Sequence, residues 1–140
     1  MTLSDCDGNV IRLVLPGYSG VTGVALKLAV TNAERFRKFY GSVMRLESAG
    51  KDSYRIGDST VMFEANTKSA HDSPLRAKGY RYFTIQVKDV EREHATLIER
   101  GAVEGMAPLT LGETARVSFI RDPDGNWIEL SQRASLTGSL

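Results

Sequence analysis

The sequence holds little of what covalent or metal chemistry usually needs. It has one cysteine, Cys6, which excludes an intrachain disulfide and fits a reducing, cytoplasmic setting. It has two histidines, His71 and His94. No run approaches the ~18 apolar residues that a membrane span takes. The first seven residues carry neither a basic nor an apolar stretch, so no secretory leader is expected. An excess of one charge is missing too: 18 Lys and Arg face 17 Asp and Glu. That balance leaves no electrostatic footprint for nucleic acid or an anionic membrane. What remains is 140 residues, 41% hydrophobic and 25% charged, enough for one globular domain with a core.

Hydrophobic periodicity shows one pattern twice. Val24, Leu26, Leu28 and Val30 alternate with Ala25, Lys27 and Ala29, which predicts a strand. Asn32 suits a helix N-cap and Glu34 a first helical turn. Phe36, Phe39, Tyr40 and Val43 then recur at helical spacing, for about three turns. Short strands are predicted at Arg45–Ser48, Ser53–Ile56 and Thr60–Ala65, divided by turns at Gly50-Lys51-Asp52 and Gly57-Asp58-Ser59. A polar, aperiodic stretch from Asn66 to Gly79 reads as a lid-like linker. The pattern then restarts. Phe83, Ile85 and Val87 alternate with Tyr82, Thr84 and Gln86. Asp89 caps a helix with the stripe Val90, His94, Leu97 and Ile98, and Gly101 stops it. Strands follow near Val103–Met106, at Ala115–Arg121 and at Asn126–Gln132, the last two joined by a turn through Pro123 and Gly125.

Aligning Thr31-Asn32 with Lys88-Asp89 brings the caps and the pairs Glu34-Arg35 and Glu91-Arg92 into register. One such unit would leave a sheet face uncovered, so two must pack together. The divisions are 1–20 for an extra N-terminal hairpin and linker, 21–66 for the first unit, 67–79 for the linker, 80–133 for the second unit, and 134–140 for a disordered tail. Asp5-Cys6-Asp7-Gly8-Asn9-Val10-Ile11-Arg12-Leu13 also echoes Asp122-Pro123-Asp124-Gly125-Asn126-Trp127-Ile128-Glu129-Leu130. Two explanations stand: a chance Asp-Gly hairpin with an extra edge strand, or the closing hairpin of a preceding copy.

Ala25-Leu26-Lys27-Leu28-Ala29-Val30, leading into a helix with Phe39-Tyr40, and the run from Phe119 to Leu130 resemble the vicinal oxygen chelate superfamily. That superfamily includes glyoxalase I, bleomycin-resistance proteins and extradiol dioxygenases. The resemblance spans Val21 to Gln132. It implies an α+β fold of two tandem βαβββ units forming a cupped mixed β-sheet with helices on the outer face, a small-molecule pocket in the cup, and a homodimer. In the members that do metal chemistry, four strands each supply one ligand, mostly His or Glu, and the metal chelates neighbouring substrate oxygens. The matching positions here are Ala25, then Met62 or Glu64, then Tyr82, then Glu129. The resemblance therefore implies no tightly bound metal. If a divalent metal does bind, Glu64 and Glu129 are its ligands.

Strand alternation nominates Ala25, Lys27, Met62, Glu64, Tyr82, Thr84, Gln86, Trp127 and Glu129 for the cup, with Arg116 or Ser118 added from the seventh strand. Glu129 is the candidate catalytic residue. Lys27 or Arg116 could hold it ionised; failing both, desolvation would raise its pKa and suit it to general acid or base work. His71 reads as a solvated loop residue and His94 as a packing residue on the helix. Cys6 reads as a free surface thiol, and Gly17-Tyr18-Ser19-Gly20 as a linker without the setting of a nucleophile elbow. Three functions compete: a metal-independent small-molecule binding protein, a metal-dependent lyase, epimerase or dioxygenase, and a non-catalytic module of a tandem protein.

Overall fold

The structure is a computed structural model that describes residues 1–68, 74–76 and 80–140. An N-terminal hairpin, β1 (Thr2–Ser4) and β2 (Val10–Arg12), comes first. The first unit follows: β3 (Ala25–Val30), α1 (Ala33–Lys38), β4 (Ser48–Gly50), β5 (Ser53–Ile56) and β6 (Ser59–Ala65). The second unit comprises β7 (Tyr82–Gln86), α2 (Val90–Glu99), β8 (Val103–Leu111), β9 (Ala115–Arg121) and β10 (Trp127–Arg133). A last helical turn, α3 (Ala134–Thr137), closes the chain.

The two units share one topology. Their strand orders are β3-β6-β5-β4 and β7-β10-β9-β8. In each, the first strand runs parallel to the last and the remaining pairs are antiparallel. The α+β fold of tandem βαβββ units stands. Each unit contributes its own four-stranded mixed sheet, and among the described residues no ladder joins the two. Both β3 and β7 end their own sheets.

Local chemistry explains the helices. Asn32 is extended (φ −147°), and its Oδ1 accepts from the backbone N–H of Glu34 (3.0 Å) and Arg35 (3.1 Å). Asp89 does the same for Arg92 N–H at 3.1 Å. Gly101, at φ 97°, ends α2 where a side chain would be strained.

The remaining differences from expectation are also local. The first helix does not end as an α-helix; Phe39–Val43 forms a π-turn, with Met44 N–H donating to Phe39 O at 2.9 Å. Arg45 then takes φ 54°, so the strand expected from Arg45 starts only at Ser48. Strand β8 reaches Leu111 rather than Met106, and two register shifts along it keep it paired with β9 as far as Ala115. The tail expected to be disordered forms α3 instead, and Gln132 Nε2 donates back to Ser139 O at 3.1 Å. Of the linker, residues 69–73 and 77–79 lie outside the described residues, and His71 with them.

The core spans both units. Leu28, Val30, Phe36, Phe39, Tyr40, Val61 and Phe63 from the first join Val90, Leu97, Ile120, Ile128 and Leu130 from the second. Tyr40 stacks on Tyr54 and Phe63, with centroids 5.9 and 6.1 Å away. The units are also tied by one turn. Asp122 accepts from Asp124 N–H (3.0 Å), Asn126 N–H (2.9 Å) and Asn126 Nδ2 (2.8 Å). That shape presents Asp124 to the end of β3. Its Oδ2 accepts from Thr31 N–H at 2.8 Å, and Thr31 Oγ1 donates to Oδ1. Arg35 Nη2 donates to Pro123 O at 2.9 Å.

Burial pushes the Tyr40 phenol well above its ordinary range, and nearby Asp122 and Tyr80 add to this. Burial likewise raises Tyr80, with Asp122 again adding. Raised phenols favour the protonated folded state. Their contribution is therefore intact below pH 10.0, the ordinary phenol value, and is lost as pH rises beyond it. Urea unfolding should show stability falling above that pH. Because the Tyr40 hydroxyl has no hydrogen-bond partner among the described residues, Tyr40→Phe should change stability at pH 7 by less than about 1 kcal/mol and flatten the alkaline decline.

Candidate functional site

The strand register sorts the second unit's side chains. Ile128 and Leu130 join the core beneath α2, so Trp127 and Glu129 face the other way. Trp127 stands opposite Tyr82 and Arg121, and Glu129 opposite Thr84 and Phe119. This face carries a run of aromatic contacts. Tyr82 meets Phe119 edge-on at 5.3 Å, and Phe119 meets Trp127 edge-on at 5.7 Å. The Arg121 guanidinium carbon lies 3.7 Å from the Trp127 ring centroid, a cation–π contact, and Arg121 Nη1 donates to Gly125 O at 3.0 Å. Glu129 is 8% exposed, and Thr84 Oγ1 donates to its Oε2 at 2.8 Å. Tyr82, Thr84 and Gln86, on the edge strand, are exposed. An apolar wall, a nearly buried carboxylate and an open edge thus adjoin one another.

Arg116 does not belong to this face. Odd-numbered residues of β9 face the aromatic wall, and even-numbered ones face the helix. Arg116 stands opposite Gln132, whose Oε1 accepts from Val90 N–H at the start of α2, at 3.2 Å. Its guanidinium bonds to Glu91 and Thr110. Ser118, fully buried, shares that side. The cation that β9 supplies to the wall is Arg121, the last residue of the strand, which was not among the residues expected in the cup. Its parity with Phe119 was the available signal.

Lys27, Met62 and Glu64 face away from α1 on the first unit. Lys27 Nζ lies 2.5 Å from Glu64 Oε2, with the two side chains 56% and 69% exposed. Hydrogen bonding and charge from Lys27 hold the Glu64 carboxyl below its usual range. Neither proposed counter-ion of Glu129 is therefore engaged with it: Lys27 pairs with Glu64, and Arg116 with Glu91. An open groove of about 410 Å³ is lined by Lys27, Leu28, Ala29, Glu64, Ala65 and Asn66, all from the first unit. Tyr82, Trp127 and Glu129 do not line it. They lie on the second unit's own sheet.

His94 is buried, and its Nε2 lies 2.9 Å from Glu104 Oε2, on the helix side of the second sheet. Cys6 is exposed in the first turn. Tyr18–Gly20 is a 3₁₀ turn before β3. The donors do not suit a resident metal of the His/Glu kind. Ala25 offers no donor atom, Glu64 is engaged by Lys27, and one Glu129 oxygen is engaged by Thr84. Among the described residues no three His, Cys, Asp or Glu side chains converge.

The profile of the glyoxalase/bleomycin resistance protein/dioxygenase superfamily matches residues 22–130. The chain belongs to this superfamily. Solved structures agree on the fold. A glyoxalase/bleomycin resistance protein/dioxygenase from Alicyclobacillus acidocaldarius matches 81% of this chain and 93% of its own, at 15% identity and a TM-score of 0.64. A glyoxalase/dioxygenase from Nostoc punctiforme matches 89% and 99%, at 19% identity and 0.60. TioX from Micromonospora sp. ML1 matches 79% and 97%, at 17% identity and 0.61. No curated protein matches the chain. In this superfamily member the face opposite the helices differs sharply between units: an exposed ion pair on the first, aromatics around a carboxylate on the second.

Gly105 of β8 holds the wall in place. A Cβ there would lie 2.8 Å from Trp127 Cζ3 and 3.2 Å from Phe119 Cβ. Gly105→Ala should destabilise the fold by about 1–3 kcal/mol and shift Trp127 emission. Urea unfolding and fluorescence of the sole tryptophan measure both.

Proposed function

We propose that this superfamily member is a small-molecule binding protein that acts as a cytoplasmic homodimer and needs no resident metal. The ligand is a flat, aromatic molecule bearing a hydrogen-bond donor or a positive charge. One observation carries this reading: Glu129, 8% exposed, sits beside the Tyr82–Phe119–Trp127 wall with the Thr84 hydroxyl as its hydrogen-bond donor. An ionised carboxylate accepts at about four sites. A ligand that stacks on the wall and donates to Glu129 would satisfy what Thr84 leaves. Tyr82, Thr84 and Gln86 form the open side through which it enters. Lys27, Met62 and Glu64 belong to the first unit's groove and come second as contact residues. The free thiol of Cys6 supports the proposed location. Among the described residues no helix is long and apolar enough to cross a membrane.

Two measurements test this. Flat aromatic amines and amides should quench Trp127 fluorescence saturably. Glu129→Gln, which keeps the shape and removes the charge, should weaken binding by about 10- to 100-fold, the weight of a charge-assisted hydrogen bond. A panel that leaves Trp127 emission unchanged would count against the proposal. Elemental analysis of protein purified without chelator should give far less than one metal per chain. Near-stoichiometric Ni, Zn, Mn or Fe that disappears in Glu129→Ala would instead establish metal-dependent lyase, epimerase or dioxygenase chemistry.

A further inference from the structure

The echo between the N-terminal hairpin and the β9–β10 hairpin is structural as well as sequential. In the C-terminal turn, Asp122 N–H donates to Asn126 O (3.0 Å), Gly125 N–H donates to Asp122 O (2.9 Å), and Gly125 has φ 86°. In the N-terminal turn, Asp5 N–H donates to Asn9 O (3.0 Å), Gly8 N–H donates to Asp5 O (3.2 Å), and Gly8 has φ 86°. The carboxylate wiring matches too. Asp5 accepts from Asp7 N–H (2.9 Å), Asn9 N–H (2.8 Å) and Asn9 Nδ2 (2.8 Å). These repeat the three bonds that Asp122 makes.

The C-terminal turn uses this shape to dock. It delivers Asp124 to Thr31, and Pro123 O to Arg35, at the β3–α1 junction. The residue matching Asp124 in the N-terminal turn is Asp7, which is exposed. The residues that follow it are exposed as well: Val10 67%, Ile11 46% and Leu13 54%. Their counterparts in the docked hairpin include Ile128, at 0%, and Leu130, at 1%. Among the described residues, β1 and β2 pair with each other and make no extensive contact with any other element.

The second unit has the matching socket, and it stands open. By the alignment of the two helix caps, Lys88 and Arg92 correspond to Thr31 and Arg35. Lys88 and Arg92 are both exposed. The backbone N–H of Lys88, unlike that of Thr31, donates to nothing among the described residues. The nearest charged partner of Arg92 is Glu93, at 3.8 Å. The first unit has no turn of this design to offer, since β5 and β6 are joined by the tight turn Gly57-Asp58. The arm presents an exposed Asp7, and the socket presents Lys88 and Arg92.

We infer that the N-terminal hairpin is a docking arm, and that its Asp7 turn seats at the Lys88–Arg92 junction of a second copy of this chain. The partner is a second copy because, among the described residues, the arm packs extensively on no other element of its own chain, while the chain itself carries Lys88, opposite in charge to Asp7, where Asp124 would find Thr31. Reciprocal exchange of arms closes a twofold dimer and covers Val10, Ile11 and Leu13. This inference rests on the homodimer proposed above and names the surface that makes it.

The test is sedimentation equilibrium on the full chain and on three variants: Asp7→Lys, Lys88→Asp, and the two combined. Neither changed residue belongs to the core, and near-UV circular dichroism verifies folding. The unchanged chain should be dimeric. Each single reversal should weaken dimerisation at least about tenfold. The double reversal should restore it, since the arm and the socket then carry opposite charges again, with their signs exchanged. A dimer indifferent to both single reversals overturns the arm and leaves the homodimer standing. A chain that stays monomeric overturns both.

Discussion

The hydrogen bonds from Thr31 to Asp124 hold the two units in their relation, and the candidate site depends on them. Asp124 is 9% exposed, so an ionised carboxylate there must be compensated. Thr31 meets it with both a backbone N–H and a hydroxyl. Hydrogen bonds to a charged group contribute about 1.5–3 kcal/mol each, against a total domain stability of about 5–15 kcal/mol. A turn held this firmly also fixes where β10 begins. Trp127 and Glu129 are its first and third residues, so the wall and the carboxylate inherit their positions from a contact on the other unit. Burial raises the pKa of Asp122, opposed by the three hydrogen bonds that shape the turn. The turn therefore tolerates one partly desolvated acid in order to aim another.

The repeat itself was legible in the sequence because its marks are local. Asn32 and Asp89 cap their helices through bonds to residues two or three positions on, and the alternation in β3 and β7 needs only neighbours. What was not legible depends on distant partners. The π-turn at Phe39–Val43 delays β4, and nothing in Phe-Tyr-Gly-Ser-Val requires it. The register shifts that let β8 run on to Leu111 belong to its pairing with β9. The separation into two sheets follows from which edges pair, and alternation within a strand carries no information about that.

The same distinction governs the site. Parity placed Tyr82, Thr84, Trp127 and Glu129 on one face, since a strand turns every second residue the same way. For β9 the alternation pointed to Arg116 or Ser118, because a strand's pattern alone does not say which set of residues faces the wall. The pairing of β9 with β10 puts both on the helix side, where Glu91 of α2 holds Arg116. Lys27 was a plausible counter-ion for Glu129 until the parallel pairing of β3 with β6 put Glu64 beside it. The charged partners in this fold are chosen by adjacency across strands and from strand to helix, and no one-dimensional pattern encodes that adjacency.

The two faces opposite the helices differ in what their charges do for stability. An exposed pair such as Lys27–Glu64 contributes about 0–1 kcal/mol, and its loss would leave two solvated side chains. Glu129 is different. A carboxylate at 8% exposure forfeits hydration, and one threonine hydroxyl restores only part of it. A neutral residue of similar size would serve the packing between Phe119 and Thr84 with less desolvation. Among the described residues, nothing beyond Thr84 accounts for the carboxylate at this position. That supports the reading in which its second partner comes from outside the chain. Duplication supplied two equivalent scaffolds, and the electrostatic cost is concentrated on the one that also carries the aromatic wall.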